Sequence, residues 1–285
     1  MPLNRRSWLF VPGADESAHE AAARSGADVV ILELEDFTPP ELRPRARALS
    51  EQALERWRGA GAVAGVRINP LESGGREDLA GVIAARPDLM LMSKVETPEQ
   101  VKALEAATGS AVDLVPNIET AAGLVNTYAI GKASKRVVAM LVASEDMVAN
   151  LGTVRTRGGA ELAYVRARFL LECRAAGVEA IDCPYTFSDL KGLMADARHA
   201  KALGYRMKSL VVPAHAKALN AVFSASRAEL AKARRIVAAF EKARAKGKER
   251  AKVDGALIDV PIYAAAKRLL ESAGQSSPPR RKKRG

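Results

Sequence analysis

The chain has 285 residues, 48% hydrophobic and only 5% aromatic, and no apolar run reaches the roughly 18 residues of a membrane span. Its formal net charge of +11 is concentrated: nine Lys or Arg face two Glu between residues 232 and 252, and five more cations stand in 280–284. The remainder is close to neutral, which excludes a basic groove through the body and leaves only weak, salt-dependent polyanion binding by the tail.

The first residues lead directly into a strand-like run over 7–12, so no signal peptide is expected. Cys173 and Cys183 stand in plain contexts, so we expect a cytoplasmic protein with reduced thiols. Apolar runs predict strands over 8–11, 29–34, 63–68, 89–92, 113–116, 138–142, 180–182 and 209–212. Between them, Ala, Leu, Glu and Arg recur at helical spacing, as over 99–107, 161–176 and 189–203. Eight βα repeats argue for a (β/α)8 TIM barrel over an open sheet. An open sheet would also favour a glycine-rich phosphate loop after its first strand, where this chain has Val11-Pro12-Gly13. The barrel is expected over 1–228. A C-terminal helical extension follows over 229–273, with a long basic helix over 230–250, a punctuated segment over 253–261 and a last short helix. Such an extension is of the kind that packs on a neighbouring subunit or caps a site. A disordered basic tail is expected over 274–285.

In a barrel of this kind, chemistry lies at the C-terminal ends of the strands. Charged residues follow six consecutive predicted strands: Glu33, Glu35 and Asp36, then Arg67, Lys94 with Glu96, Glu119, Glu145 with Asp146, and Asp182. Glu119 and Asp146 follow adjacent strands, so their carboxylates can converge. His19, His199 and His215 lack zinc spacing and read as surface or helix residues. Oxygen ligands alone suit Mg²⁺, or Mn²⁺. The competing reading makes the two carboxylates rim residues paired with Arg67 or Lys94. Arg67 can grip a substrate carboxylate with two parallel hydrogen bonds, or pair structurally with Glu35 or Asp36. Lys94 could form a Schiff base only if kept from carboxylates; with acids so close, a charged, ion-paired lysine is expected.

The succession Arg6 to Gly13, Ile31-Leu32-Glu33-Leu34-Glu35-Asp36, Val66-Arg67-Ile68-Asn69-Pro70, Ser93-Lys94-Val95-Glu96, Pro116-Asn117-Ile118-Glu119-Thr120 and Glu145-Asp146 resembles the citrate lyase β-subunit-like branch of the HpcH/HpaI aldolase superfamily. Ala180-Ile181-Asp182, Tyr185, the stretch 189–193, residues 202–204, 220–223 and 257–261 continue the resemblance, which runs from about residue 5 to 272. It implies a barrel with Mg²⁺ on Glu119 and Asp146 and a substrate carboxylate on Arg67. It also implies an oligomer, a trimer foremost, whose C-terminal extension reaches a neighbouring subunit, with Asp259 in acid–base work there. Its substrates would be acyl-CoA thioesters of the citramalyl, malyl or citryl type. The candidate catalytic residues are therefore Arg67, Asp259, Glu35 and Asp36. The substrate-binding candidates are Arg67 and Lys94, and the metal candidates Glu119 and Asp146. The chain departs from the family pattern at Glu33, Phe37-Thr38, Asn117, Asn150, Val211-Val212-Pro213 and Ala256. The expected activity is Mg²⁺-dependent cleavage of a 3-hydroxyacyl-CoA to a keto acid and a short acyl-CoA. A CoA-independent aldolase acting on hydroxy-keto acids and a non-catalytic barrel subunit are the alternatives.

Overall fold

The computed structural model describes residues 5–109 and 112–275. The chain divides into two compact units, Arg5–Phe223 and a second that begins at Ser224.

The first unit is a closed barrel of eight parallel strands in sequence order. Its elements are β1 (Ser7–Pro12), α1 (Glu16–Ser25), β2 (Val29–Glu33), α2 (Arg43–Gly59), β3 (Val63–Ile68), α3 (Gly75–Val82), β4 (Leu89–Met92) and α4 (Pro98–Thr108). They continue with β5 (Asp113–Ile118), α5 (Ala121–Val125), α6 (Thr127–Lys132), β6 (Ala139–Val142), α7 (Glu145–Asn150), α8 (Ala163–Ala176), β7 (Glu179–Asp182), α9 (Leu190–Leu203), β8 (Met207–Leu210) and α10 (Ala216–Phe223). The strands read as unbroken apolar runs because both faces are covered. One parity, including Trp8, Phe10, Ile31, Leu91, Val115 and Leu141, fills the barrel interior. The other parity, including Leu9, Val30, Leu32, Val66 and Met90, packs in the larger core with the helices. Gly65 on β3 makes room inside: a Cβ there would meet Ile31 Cδ1 at 2.7 Å and Leu89 Cβ at 3.0 Å. Helix starts carry side-chain caps, with Asp15 on α1, a Thr97–Gln100 capping box on α4 and Asp189 on α9.

Two strands differ from expectation by more than one residue at an end. β8 spans Met207–Leu210, earlier than 209–212, because its register with β1 pairs Ser7 with Lys208 and Leu9 with Leu210. β5 runs past Pro116 to Ile118, with Asn117 paired to Leu141 and Ile118 to Val142. Proline lacks only its own N–H, and the ladder resumes beyond it.

In the second unit, α11 (Arg227–Arg244) opens with a Ser226–Glu229 capping box. It ends before the expected residue 250, at a turn through Gly247 (φ 70°) that precedes β9 (Ala251–Val253) and β10 (Ala256–Ile258). These form an antiparallel hairpin whose turn places Asp254 at φ 50° and Gly255 at φ 81°. The last helix, α12 (Val260–Gln275), is long rather than short. Ala233, Ile236, Phe240, Ile258 and Ala266 form this unit's own core, and Phe240 stacks on Tyr263 at 4.6 Å. Of the disordered tail expected over 274–285, Gly274 and Gln275 instead close α12, and the rest, with its cations at 280–284, lies outside the described residues.

Candidate active site at the barrel mouth

The mouth is organised around Arg67, near the end of β3, whose side chain is 8% exposed. Glu33 on β2 is its register partner, and strand pairing brings the two side chains together inside the barrel. Arg67 Nε donates to Glu33 Oε1 at 2.9 Å. The Glu33 carboxylate also accepts from the Glu35 and Phe37 amides, each at 2.6 Å, so it ties the loop after β2 to the guanidinium. Arg67 Nη2 lies 3.1 Å from Glu35 and 3.7 Å from Asp36, and Nη1 lies 3.6 Å from Glu119. The Phe10 ring stands 5.2 Å below the guanidinium carbon. Burial opposes the charge on Arg67, but Glu33, Glu119 and Glu35 outweigh it and hold the guanidinium above its ordinary pKa.

Lys94 follows β4 in the left-handed region, at φ 51°. For a side chain with a Cβ this costs about 1 kcal/mol. The backbone turn carries Nζ to the Glu35 carboxylate, with Asp36 at 3.8 Å. Desolvation works against the ammonium, but Glu35 and Asp36 reverse it and raise its pKa. Lys94 is thus an ion-paired cation, the state opposite to a Schiff-base lysine. Burial raises Glu35, against the pull of Arg67 and Lys94.

Glu119, one residue past β5, is fully buried, and neither carboxylate oxygen has a hydrogen-bond partner. Burial pushes its pKa up to about 8; Arg67 opposes this, while Glu35 and Asp146 add to it. Asp146, in the first turn of α7, is half-buried and raised for the same reason, with Asp36 contributing. Two cations thus face five carboxylates: Arg67 and Lys94 against Glu33, Glu35, Asp36, Glu119 and Asp146. Among the described residues no group of three or more His, Cys, Asp or Glu forms a metal cage.

Other strand-end charges stay out of the mouth. Asp182 was expected on the same rim, but its parity turns it outward, where Arg166 and Lys208 hold it. Glu96 accepts from Thr120 Oγ1 at 2.6 Å, beside the start of α5. Glu145 is exposed and accepts from Thr186 Oγ1. Asp259 lies in the second unit, exposed, and accepts from the Ile262 amide at the start of α12. His19 and His215 are helix residues as expected, in α1 and in a short helical turn before α10, and both are buried, each with Nε2 3.1 Å from a backbone carbonyl. The sequence reading passed over Glu33 as the partner of Arg67. The usable signal was parity: Val29, Ile31 and Glu33 share the inward face of β2.

Residues 6–213 match the family model described as HpcH/HpaI aldolase/citrate lyase. The chain belongs to this family. Relatives include the citrate lyase subunit beta of Haemophilus influenzae, 32% identical over 94% of this chain and 97% of that protein. A (3S)-malyl-CoA thioesterase of Cereibacter sphaeroides is 33% identical over 94% of each chain. Among solved structures, CitE from Mycobacterium tuberculosis in complex with magnesium, acetoacetate and coenzyme A superposes with a TM-score of 0.80. It is 29% identical and covers 96% of this chain and 100% of that one. A citrate lyase beta subunit from the same organism, complexed with oxaloacetate and magnesium, has 30% identity and a TM-score of 0.67 over 79% of this chain and 100% of that one. In this citrate lyase-type barrel the mouth residues stand at or just past the ends of β2, β3, β4 and β5 and in α7 after β6, so five successive βα units build one site.

Proposed function

We propose that the protein is a Mg²⁺-dependent carbon–carbon lyase. It would cleave a 3-hydroxyacyl-CoA of the citramalyl, malyl or citryl type to a keto acid and a short acyl-CoA. The observation that carries this reading is Glu119, a buried carboxylate with neither oxygen hydrogen-bonded and only a 3.6 Å ion pair to Arg67, in a cluster short of positive charge. A divalent cation fits that deficit, and two carboxylates with room for other oxygens suit Mg²⁺, or Mn²⁺. Glu119 and Asp146 would hold it. When bound, the cation supplies Lewis-acid polarisation of the substrate hydroxyl that becomes the ketone.

The remaining chemistry falls to the chain's own side chains. Arg67 is locked through Nε by Glu33, and its Nη edge, ion-paired with Glu35, Asp36 and Glu119 in the free protein, would bind the substrate carboxylate and stabilise charge on the departing keto acid. Lys94, held against Glu35 and partly exposed, adds a second positive group for an anionic substrate. In the cleavage, the hydroxyl loses its proton, the bond between the hydroxyl-bearing carbon and the thioester α-carbon breaks, and that electron pair stays on the α-carbon. A proton must then reach the α-carbon. Glu35 and Asp36 at the mouth, and Asp259 of the extension reaching a neighbouring subunit, are the groups proposed for these two transfers, one as the base that takes the hydroxyl proton and another as the acid that protonates the α-carbon. A cytoplasmic homo-oligomer, a trimer foremost, completes the proposal. No helix among the described residues is long and apolar enough to cross a membrane.

The malyl-CoA thioesterase relatives favour a second reading, hydrolysis of the thioester. One assay separates the two: purified protein with citramalyl-CoA, malyl-CoA and citryl-CoA, with Mg²⁺ and with EDTA, and products resolved by chromatography. Keto acid and acyl-CoA in equal amounts, abolished by EDTA, are expected. Free CoA with an intact hydroxy acid would replace lysis by hydrolysis. No product of either kind would remove both.

A further inference from the structure

Asn117 on β5 is fully buried, and neither its Oδ1 nor its Nδ2 has a hydrogen-bond partner. Val115 packs in the barrel interior, and residues two apart on a strand share a face, so Val115, Asn117 and Glu119 form one inward column. Asn117 thus lies about 7 Å along the strand from Glu119, on the floor beneath the mouth. An unpaired buried polar group costs roughly 1–3 kcal/mol, which an apolar side chain of similar size would avoid. The strand itself has no need of the amide, because the main chain of Asn117 pairs normally with Leu141 on β6.

We infer that Asn117 is a specificity-determining residue that hydrogen-bonds the substrate from the barrel floor, favouring a 2-keto acid fragment that carries a hydrogen-bonding group, hydroxyl before carboxylate, on the carbon next to the carbonyl over the methyl of a citramalyl-type fragment. The inference rests on the lyase reading of the same mouth. A carboxamide presents one donor group and one acceptor, and a hydroxyl both accepts and donates, so one hydroxyl satisfies both orphaned atoms. A methyl group satisfies neither, and a site built for hydrogen bonding discriminates against the analogue that leaves it unpaired. A carboxylate accepts from Nδ2 but is repelled by Oδ1, and it would enter a region where five carboxylates already face two cations. The preference therefore runs hydroxyl, then carboxylate, then methyl.

The test titrates the Mg²⁺-loaded full chain with hydroxypyruvate, oxaloacetate and pyruvate by calorimetry. These acids differ only in the group on one carbon. The wild type is expected to bind hydroxypyruvate at least about tenfold more tightly than pyruvate. Asn117→Leu is expected to erase that ratio while raising the Tm of the metal-free protein, because a buried orphan has been removed. Asn117→Ala serves where leucine overfills the site, and should erase the ratio as well. A ratio unchanged in both variants overturns the assignment. So do three affinities that fall together with a falling Tm, the mark of a structural amide. A wild type that binds all three acids equally removes this inference alone. One that binds Mg²⁺ but none of the acids removes the lyase reading with it.

Discussion

Two buried ionic clusters occupy the same barrel and differ in charge balance. The first joins β7 and β8 to α8 and α9. Arg166 donates to Asp182 at 2.8 and 2.6 Å and to Asp196 at 2.7 Å. Lys208 Nζ stands 2.6 Å from both Asp182 and Asp196. Two cations meet two carboxylates. Burial alone would raise Asp196, but Lys208 and Arg166 outweigh it and bring its pKa below the usual range. The second cluster is the mouth, where two cations meet five carboxylates and Glu119 moves the opposite way, up to about 8. Glu119 and Asp182 are equally buried, so burial of the carboxylate does not by itself separate structure from function. A balanced cluster is complete in itself, whereas one in surplus is complete only with something bound.

That contrast breaks most visibly on the balanced side. Lys208→Met leaves two buried carboxylates with one guanidinium, and breaking a buried pair in this way costs about 3–5 kcal/mol. Urea unfolding should show that loss, while turnover per folded molecule stays near wild type. A stability change under about 1 kcal/mol would mean the lysine is dispensable to the cluster. On the surplus side the pattern reverses. Glu119→Gln should lower Mg²⁺-dependent keto acid release by about 100-fold or more, while the Tm of the metal-free protein stays within a few degrees. A large fall in that Tm would instead make Glu119 structural, like Asp182. The smallest effect, about tenfold in kcat/KM, is expected for Arg67→Lys. The charge survives, but the fork that Glu33 orients is gone. Wild-type rates in steady-state kinetics would take Arg67 out of the substrate site.

Much of this contrast was open to reading from the chain, and what was missed has a common cause. The eight strands announced themselves as apolar runs because a barrel strand is covered on both sides, and Arg67, Lys94, Glu119 and Asp146 followed as strand-end residues. Strand-end position, however, names a rim and not a face. Asp182 sits at the end of β7 and yet turns to the helices, because the inward parity belongs to Ile181. Glu33 was passed over by the same omission, since the register pair with Arg67 exists only once β2 and β3 are aligned. Asn117 was noticed only as a departure from the family pattern. Proline at 116 suggested that the strand had already ended, and only its continuation to Ile118 turns Asn117 into the barrel. In the second unit, an unbroken helix to residue 250 was expected because helical spacing persists, whereas Gly247 with a positive φ stops it.

The buried carboxylate of Glu119, without a hydrogen bond, also bears on how long the protein lasts in a cell. A ligand that binds the folded chain and not the unfolded one adds RT ln(1 + [L]/Kd) to stability, about 2.7 kcal/mol at a hundredfold excess over Kd. A cation relieving this cluster therefore lowers the population of open chain exposed to proteases by about a hundredfold. Metal supply would then set the amount of protein as well as its activity. Starvation for the ion would thin out the copies left idle, and repletion would protect those already made.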